Sequence, residues 1–116
     1  MRRTLIAAGV AFGVMAQLIP VRAEDGSKEN YLTRCASCHG AEGRGDGPST
    51  SWLRTKPTDF RNCDEMKKLS DDTIITAIKY GTGAIDLPAD MPGFFNRLSD
   101  REIDSLVSYV RSFCRK

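Results

Sequence analysis

The stretch Cys35-Ala36-Ser37-Cys38-His39 decides the fold of this 116-residue chain. Residues three apart on a helix lie on the same face, so the two thiols point to one side and His39 follows them directly. A C-x-x-C-H arrangement is the attachment site of a c-type haem, in which both sulfurs bond to the porphyrin and the histidine binds iron. The spacing therefore predicts one covalent haem c on Cys35 and Cys38, with His39 as an axial iron ligand.

Three other kinds of cysteine chemistry account for only part of the motif. A thioredoxin-like dithiol needs a C-x-x-C beside a βαβ pattern, and no segment of the chain alternates convincingly like a strand. A zinc site would need Cys63 as a fourth ligand, and the adjacent ligands Cys38 and His39 would crowd a tetrahedron. A disulfide between Cys35 and Cys38 would leave His39 unexplained. Haem attachment accounts for all three side chains.

Three segments with helical periodicity surround the motif, separated by loops rich in Gly, Pro and Asp. We predict helices from about residue 27 to 37, from 70 to 81, and from 99 onward. In the third helix, Ser99 and Glu102 have capping-box spacing. Its apolar face consists of Ile103, Leu106, Val107, Val110, Phe113 and Cys114.

The connections over residues 40–69 and 81–98 are long for so small a domain, and Leu, Ile, Val and Phe are sparse after residue 23. A small helical core cannot by itself cover the backbone polar groups of such loops. A flat cofactor enclosed by both loops explains the two features together. The predicted fold is all-α, with three main helices and long loops wrapped around one covalently bound haem.

Residues 1–23 have the features of a secretory signal peptide. Arg2 and Arg3 give a positive start, residues 5–19 are uncharged, and Val21-Arg22-Ala23 ends in the pattern that signal peptidase cleaves. An uncleaved membrane anchor is the alternative, but the apolar run is shorter than the roughly 20 residues that span a bilayer. We therefore predict cleavage after Ala23, a single domain over residues 24–116, and export to the oxidising periplasm.

The charge of the chain is nearly balanced, with 17 Lys+Arg against 15 Asp+Glu and a formal net charge of +2. Loss of the three arginines of the signal peptide leaves the charge close to zero. Nucleic-acid binding requires clustered basic residues in clear excess, so we expect no nucleic-acid partner. The charge also indicates no dominant acidic or basic docking surface.

The second axial ligand is predicted from the inventory of donors. His39 is the only histidine of the chain, and Met66 and Met91 are the only methionines after residue 23. Met66 lies in the charged run 64–68, which we expect to be solvated, whereas Met91 lies in a proline-stiffened loop. Met91 is therefore the predicted sulfur ligand. Met66 as the ligand, and Met91 as a flexible core filler, are the alternatives.

The sequence resembles the class I, single-haem cytochromes c of bacteria over about residues 26–113. The matching elements are the C-x-x-C-H motif after an amphipathic helix, Gly45-Asp46-Gly47-Pro48, Met91-Pro92 before Phe94, and a final helix with Leu98-Ser99 and Tyr109-Val110. The resemblance implies that the first and last helices cross with Tyr31 and Tyr109 in contact. It also implies that a backbone carbonyl, assigned to Pro48, accepts the hydrogen bond of His39 Nδ1.

Cys63 and Cys114 remain outside the haem motif. In an exported protein two such cysteines predict a disulfide, with two free thiols or an intermolecular bridge as alternatives. The bond would close a loop of about 52 residues, worth roughly 4 kcal/mol in the chain-entropy description.

The resemblance implies a periplasmic electron carrier whose iron cycles between Fe(III) and Fe(II) while both axial ligands stay bound. The expected partners are redox proteins, namely a donor dehydrogenase and an acceptor oxidase or reductase. We expect a monomer without a stable membrane anchor and without an enzymatic activity of its own. The alternatives are a haem sensor or enzyme with an open or displaceable sixth position, and a cytochrome subunit bound tightly to a periplasmic dehydrogenase or oxidase.

Overall fold

The computed structural model of the protein describes residues 4–14 and 25–115. Residues 4–14 have no regular secondary structure and are exposed. The basic start and the Ala23 boundary of the predicted signal peptide lie outside the described residues. None of the helices in the described ranges has both the length and the apolar character needed to cross a membrane.

Five α-helices and three short 3-10 turns make up the regular structure, and no strand occurs within residues 4–14 and 25–115. The helices are α1 (Ser27–Arg34), α2 (Ala36–His39), α3 (Cys63–Lys67), α4 (Asp71–Tyr80) and α5 (Asp100–Ser112). The 3-10 turns are Pro48–Trp52, Thr82–Ile85 and Phe113–Arg115. The predicted all-α fold with long loops is confirmed.

The first predicted helix is interrupted at Cys35 and ends later than expected. The Cys35 N–H still donates to the Tyr31 carbonyl at 2.9 Å, which completes α1. The Cys35 carbonyl then accepts from the N–H of His39 at 2.9 Å, so helical structure resumes as α2. Helical structure therefore ends two residues beyond the predicted residue 37, and α2 carries Cys38 and His39 directly after Cys35.

The ends of α4 and α5 follow the predicted signals. The Ser70 hydroxyl accepts from the Thr73 N–H at 3.1 Å, and α4 stops at Gly81, whose φ of 85° suits glycine. At the start of α5, Ser99 and Glu102 form the capping box: the Ser99 hydroxyl accepts from the Glu102 N–H, and the Glu102 carboxylate accepts from the Ser99 N–H.

The core forms where α1 packs against α5, and aromatic rings occupy this contact. The ring centroids of Tyr31 and Tyr109 lie 5.2 Å apart, as the resemblance implied, and Phe113 lies 5.1 Å from Tyr31. The Tyr31 hydroxyl donates to the Gly40 carbonyl at 2.6 Å, directly after the His39 end of α2. The buried apolar side chains are Tyr31, Met66, Ile74, Ile78, Phe94, Leu98, Ile103, Leu106, Val107, Val110 and Phe113.

The charged run 64–68 forms the one-turn helix α3, which the sequence analysis did not predict. Met66 is 2% exposed, so the expectation that this methionine is solvated was wrong. Met66 is the only buried residue of this short helix, and its neighbours are exposed charged residues, so the sequence shows no apolar pattern there. The Arg111 guanidinium donates to the Met66 carbonyl at 3.3 Å and to the Leu69 carbonyl at 2.7 Å, and so ties α3 to α5.

The structure pairs Cys63 with Cys114 as a disulfide, with Cα atoms 5.2 Å apart. Cys63 is the first residue of α3, and Cys114 lies in the 3-10 turn that follows α5. The pair therefore joins the long connection 40–69 to the carboxyl end of the last helix. This is the intramolecular pairing that the sequence analysis preferred.

Candidate functional site

A cavity of about 310 Å³ lies among α1, α2, α4, α5 and the two long connections. Its walls are built largely from aliphatic and aromatic side chains, a composition typical of sites that enclose an apolar ligand. These side chains are Tyr31, Leu53, Phe60, Leu69, Ile74, Ile78, Phe94, Leu106 and Val110. The cavity follows from the shortage of core residues, because the helices do not fill the space between them.

Cys35, Cys38 and His39 line one side of this cavity. Neither cysteine forms a disulfide, and burial raises the pKa of the Cys35 thiol to about 11, so this thiol is neutral at pH 7. Within the part of the chain that the structure describes, no three His, Cys, Asp or Glu side chains are grouped to hold a metal ion. Cys63 is paired elsewhere, which removes the fourth ligand of the zinc alternative.

The loop after α2 fixes the His39 end of the motif through backbone hydrogen bonds. The Gly45 N–H donates to the His39 carbonyl at 2.8 Å, and the Gly47 N–H donates to the Cys38 carbonyl at 3.0 Å. A Cβ on Gly47 would meet the Ser37 carbonyl, so only glycine permits this approach. The Gly-Asp-Gly segment thus serves to pack the loop against α2.

The His39 ring stacks on Phe60, with centroids 4.6 Å apart and planes inclined by 16°. Its Nδ1 atom is buried and has no hydrogen-bond partner among the described residues, so the predicted bond to the Pro48 carbonyl is not formed. The Pro48 carbonyl does not bond to His39 because Pro48 begins a 3-10 turn that does not line the cavity. Pro57 and Thr58, later in the same connection, do line it.

Burial lowers the pKa of His39 to about 4, and the Thr58 backbone, which lies near the ring without forming a hydrogen bond to Nδ1, partly opposes this shift. The imidazole is therefore neutral at pH 7, which is the form that binds a metal ion.

Met91 lines the same cavity from the connection 81–98, whereas Met66 does not line it. The Thr82 N–H donates to the Met91 carbonyl at 3.3 Å, and the Met91 N–H donates to the Thr82 hydroxyl at 3.4 Å. A Cβ on Gly81 would contact the Met91 carbonyl, so the positive φ and the close approach both require glycine there. Of the two methionines that the sequence left as candidate ligands, Met91 lines the cavity and Met66 does not.

These residues fit a covalently attached haem. The cavity is apolar, two cysteines without disulfide partners face it from one helix end, and a neutral imidazole accompanies them. Cys35 and Cys38 would form the thioethers, and His39 and Met91 are the nitrogen and sulfur donors that line the cavity. The Phe60 stacking and the Thr82 contacts carry no signal in the sequence, because both depend on how the loops fold back on the motif.

Comparisons with known proteins identify the class of protein. Residues 22–110 match the family described as cytochrome C oxidase, cbb3-type, subunit III. Among solved structures, one similar chain is "KustC0563 c-type cytochrome", with a TM-score of 0.62 and 29% sequence identity, covering 75% of this chain and 95% of that chain. A search of the curated proteins finds no match.

The chain therefore belongs to this family of c-type cytochrome domains. Its cofactor is haem c, bound covalently, and its class of activity is electron transfer at the haem. The predicted resemblance to the single-haem cytochromes c is confirmed, and so is the cofactor.

Proposed function

We propose that this protein is a soluble periplasmic electron carrier, with haem c attached to Cys35 and Cys38 and its iron bound by His39 and Met91. The observation that carries this proposal is the composition of the cavity wall. His39 and Met91 come from separate parts of the chain and line one cavity, which Met66 does not line. A histidine and a thioether together are a ligand set of electron-transfer cytochromes.

When bound, the haem would supply one-electron redox chemistry, with its iron alternating between Fe(III) and Fe(II). The protein contributes rigidity and the exclusion of water. Ile74, Ile78 and Phe94 are each less than 9% exposed and line the cavity, so they surround the cofactor with apolar groups. The Thr82 hydrogen bonds restrain the backbone of Met91, which would limit its movement on electron transfer.

We also propose that the protein is exported to the periplasm and exchanges electrons there with other redox proteins. The basic start, the uncharged stretch and the Val21-Arg22-Ala23 boundary favour a cleaved signal peptide and a periplasmic location. The Cys63–Cys114 disulfide is compatible with an oxidising compartment. The carrier would be a monomer without a stable membrane anchor, and would meet a donor dehydrogenase and an acceptor oxidase or reductase in short-lived complexes.

A second candidate is a cytochrome subunit that stays bound to a larger oxidase. The description of the matched family, which names an oxidase subunit, favours it. Size-exclusion chromatography of the native periplasmic fraction separates the two functions, because a carrier elutes near its own mass and a subunit elutes with its complex.

The test of the iron ligands is the visible spectrum of the mature protein produced with haem-maturation machinery. Ferric iron bound to a thioether gives a weak absorption band at the red end of the spectrum. We expect Met91→Leu to lose this band because it removes the sulfur ligand, and Met66→Leu to keep it. Both changes conserve side-chain volume, so the two variants are comparable. A band that survives in Met91→Leu would overturn the assignment, and a high-spin spectrum of the unmutated protein would favour a sensor or enzyme.

A further inference from the structure

Two loops that are distant in the sequence meet beside Met91 through one ion pair. Arg54 Nε lies 3.0 Å from Asp90 Oδ1, and the Arg54 backbone N–H donates to Asp90 Oδ2 at 3.1 Å. Both carboxylate oxygens are therefore bonded to one residue that lies 36 positions earlier in the chain. We call this pair the Arg54–Asp90 bridge.

The two partners of the Arg54–Asp90 bridge differ in their surroundings. The Asp90 side chain is 18% exposed and lines the cavity, whereas the Arg54 side chain is 70% exposed. A carboxylate with so little access to water needs hydrogen-bond donors, and Arg54 supplies two of them, with a further contribution from the Thr55 backbone. Asp90 is thus kept in place chiefly by Arg54.

The bridge and the Thr82 contacts hold successive residues of the same loop. Met91 is bonded through its backbone N–H and carbonyl to Thr82, on the α4 side of the loop. Asp90 is bonded on the other side, to the connection that follows α2. The loop is therefore restrained from two directions, and among the described residues the Arg54–Asp90 bridge is the only ion pair between this loop and residues 40–69.

We propose that Arg54, acting through Asp90, is a positioning residue that holds Met91 in the cavity and thereby sets how readily the sixth iron position opens. The inference rests on the proposed function, because it takes Met91 as the iron ligand. An external ligand can bind only when Met91 has moved away, so its apparent affinity rises in proportion to the fraction of open molecules. Breaking the bridge increases that fraction.

The test is a titration of the ferric holoprotein with imidazole, followed by the loss of the weak red band. Asp90→Ala removes both bonds of the bridge, and we expect it to tighten imidazole binding about tenfold. Arg54→Ala keeps the backbone N–H bond and should tighten binding about threefold. The double variant should bind as Asp90→Ala does, because the two residues act through one contact.

Two further variants separate a positioning role from a general loss of stability. Arg54→Lys retains the charge but loses the Nε hydrogen bond, so its affinity should lie between those of the unmutated protein and Arg54→Ala. Lys68→Ala breaks an exposed ion pair of 2.7 Å with Glu65 that lies on α3, and it should leave imidazole binding unchanged.

Each alternative result identifies what fails. If Met91→Leu keeps the red band, the ligand assignment of the proposed function is wrong and the bridge proposal falls with it. If Met91→Leu loses the band but Arg54→Ala and Asp90→Ala bind imidazole as the unmutated protein does, only the bridge proposal is overturned. An effect of Arg54→Ala that persists in the Asp90→Ala background also overturns it, because Arg54 then acts on the cofactor directly.

Discussion

The hydroxyl of Tyr31 connects the contact between α1 and α5 to the haem attachment site. Tyr31 is completely buried, and its hydroxyl donates to the Gly40 carbonyl one residue after His39. Burial, the largest cause, raises the pKa of Tyr31 well above its ordinary value, so the hydroxyl remains a donor at any physiological pH. A single buried hydrogen bond thus couples core packing to the position of the motif.

Tyr31→Phe should lower the free energy of unfolding by about 1–2 kcal/mol at pH 7, because the Gly40 carbonyl loses its buried donor. Chemical denaturation of the holoprotein measures this loss. Tyr80→Phe is the matched control, since Tyr80 is 59% exposed, and its unfolding free energy should stay within about 0.5 kcal/mol of the unmutated value. Equal effects of the two changes would contradict the role assigned to Tyr31.

The same pair of variants tests the pH dependence. Because the pKa of Tyr31 is higher in the folded protein than in the unfolded chain, its contribution is complete below about pH 10 and declines as the pH rises further. The unmutated protein and Tyr80→Phe should both lose this contribution in alkaline solution, whereas Tyr31→Phe should not. The difference between Tyr31→Phe and the unmutated protein should therefore shrink above about pH 10.

Among the elements, α5 carries the largest share of the core and begins with the most complete cap. Four of its side chains are buried: Ile103, Leu106, Val107 and Val110. Its capping box joins the backbone and side chains of Ser99 and Glu102 reciprocally, so two backbone donors at the start of the helix are satisfied. Fraying of this end would loosen the helix that packs against both α1 and α4.

Ser99→Ala should destabilise the protein by about 1 kcal/mol, because the Glu102 N–H loses the hydroxyl that accepts its hydrogen bond. Thermal unfolding of the holoprotein measures the change. The same substitution at Ser108, an exposed position inside α5, should be neutral or slightly stabilising because alanine favours the helix interior. If Ser108→Ala were as harmful as Ser99→Ala, the cap would not be the cause.

The helices differ in how well the sequence predicts them. Ser70 and Gly81 bound α4 as expected, since caps and terminating glycines act on their nearest neighbours along the chain. The helix α3 was missed because its only fully buried side chain is Met66, and one apolar residue cannot establish a period. Arg111, which joins α3 to α5, carried no signal either, since its two carbonyl acceptors are more than 40 residues away.

At the scale of the whole molecule, helices and long loops surround an apolar cavity. The Cys63–Cys114 disulfide, outside the cavity, joins the start of α3 to the turn after α5. The sequence separation of the two cysteines is 51 residues, a span that contains α4, Met91 and all of α5. A cross-link over so long a span restricts the unfolded chain considerably. The haem and the disulfide together compensate for the small core.

Replacement of both Cys63 and Cys114 by serine should lower the free energy of unfolding by roughly 4 kcal/mol, as expected for a loop of this length. The red band should remain, because neither residue lines the cavity. The unmutated protein unfolded in the presence of a thiol reductant provides the control, and it should approach the stability of the double variant when all samples are compared with the haem iron in the same oxidation state. Identical stability of all three samples would show that the bond does not form in the native protein.

The sequence by itself determined the cofactor, the helical class, both ends of α4 and the start of α5. These follow from the spacing of Cys35, Cys38 and His39, from hydrophobic periodicity and from capping residues, all of which act between near neighbours in the chain. Only the tertiary structure decided which methionine lines the cavity, that the Pro48 carbonyl does not reach His39, and that Arg54 bonds to Asp90. Those contacts join residues of different loops, and their distances are set by how the whole chain packs around the cavity rather than by any local pattern.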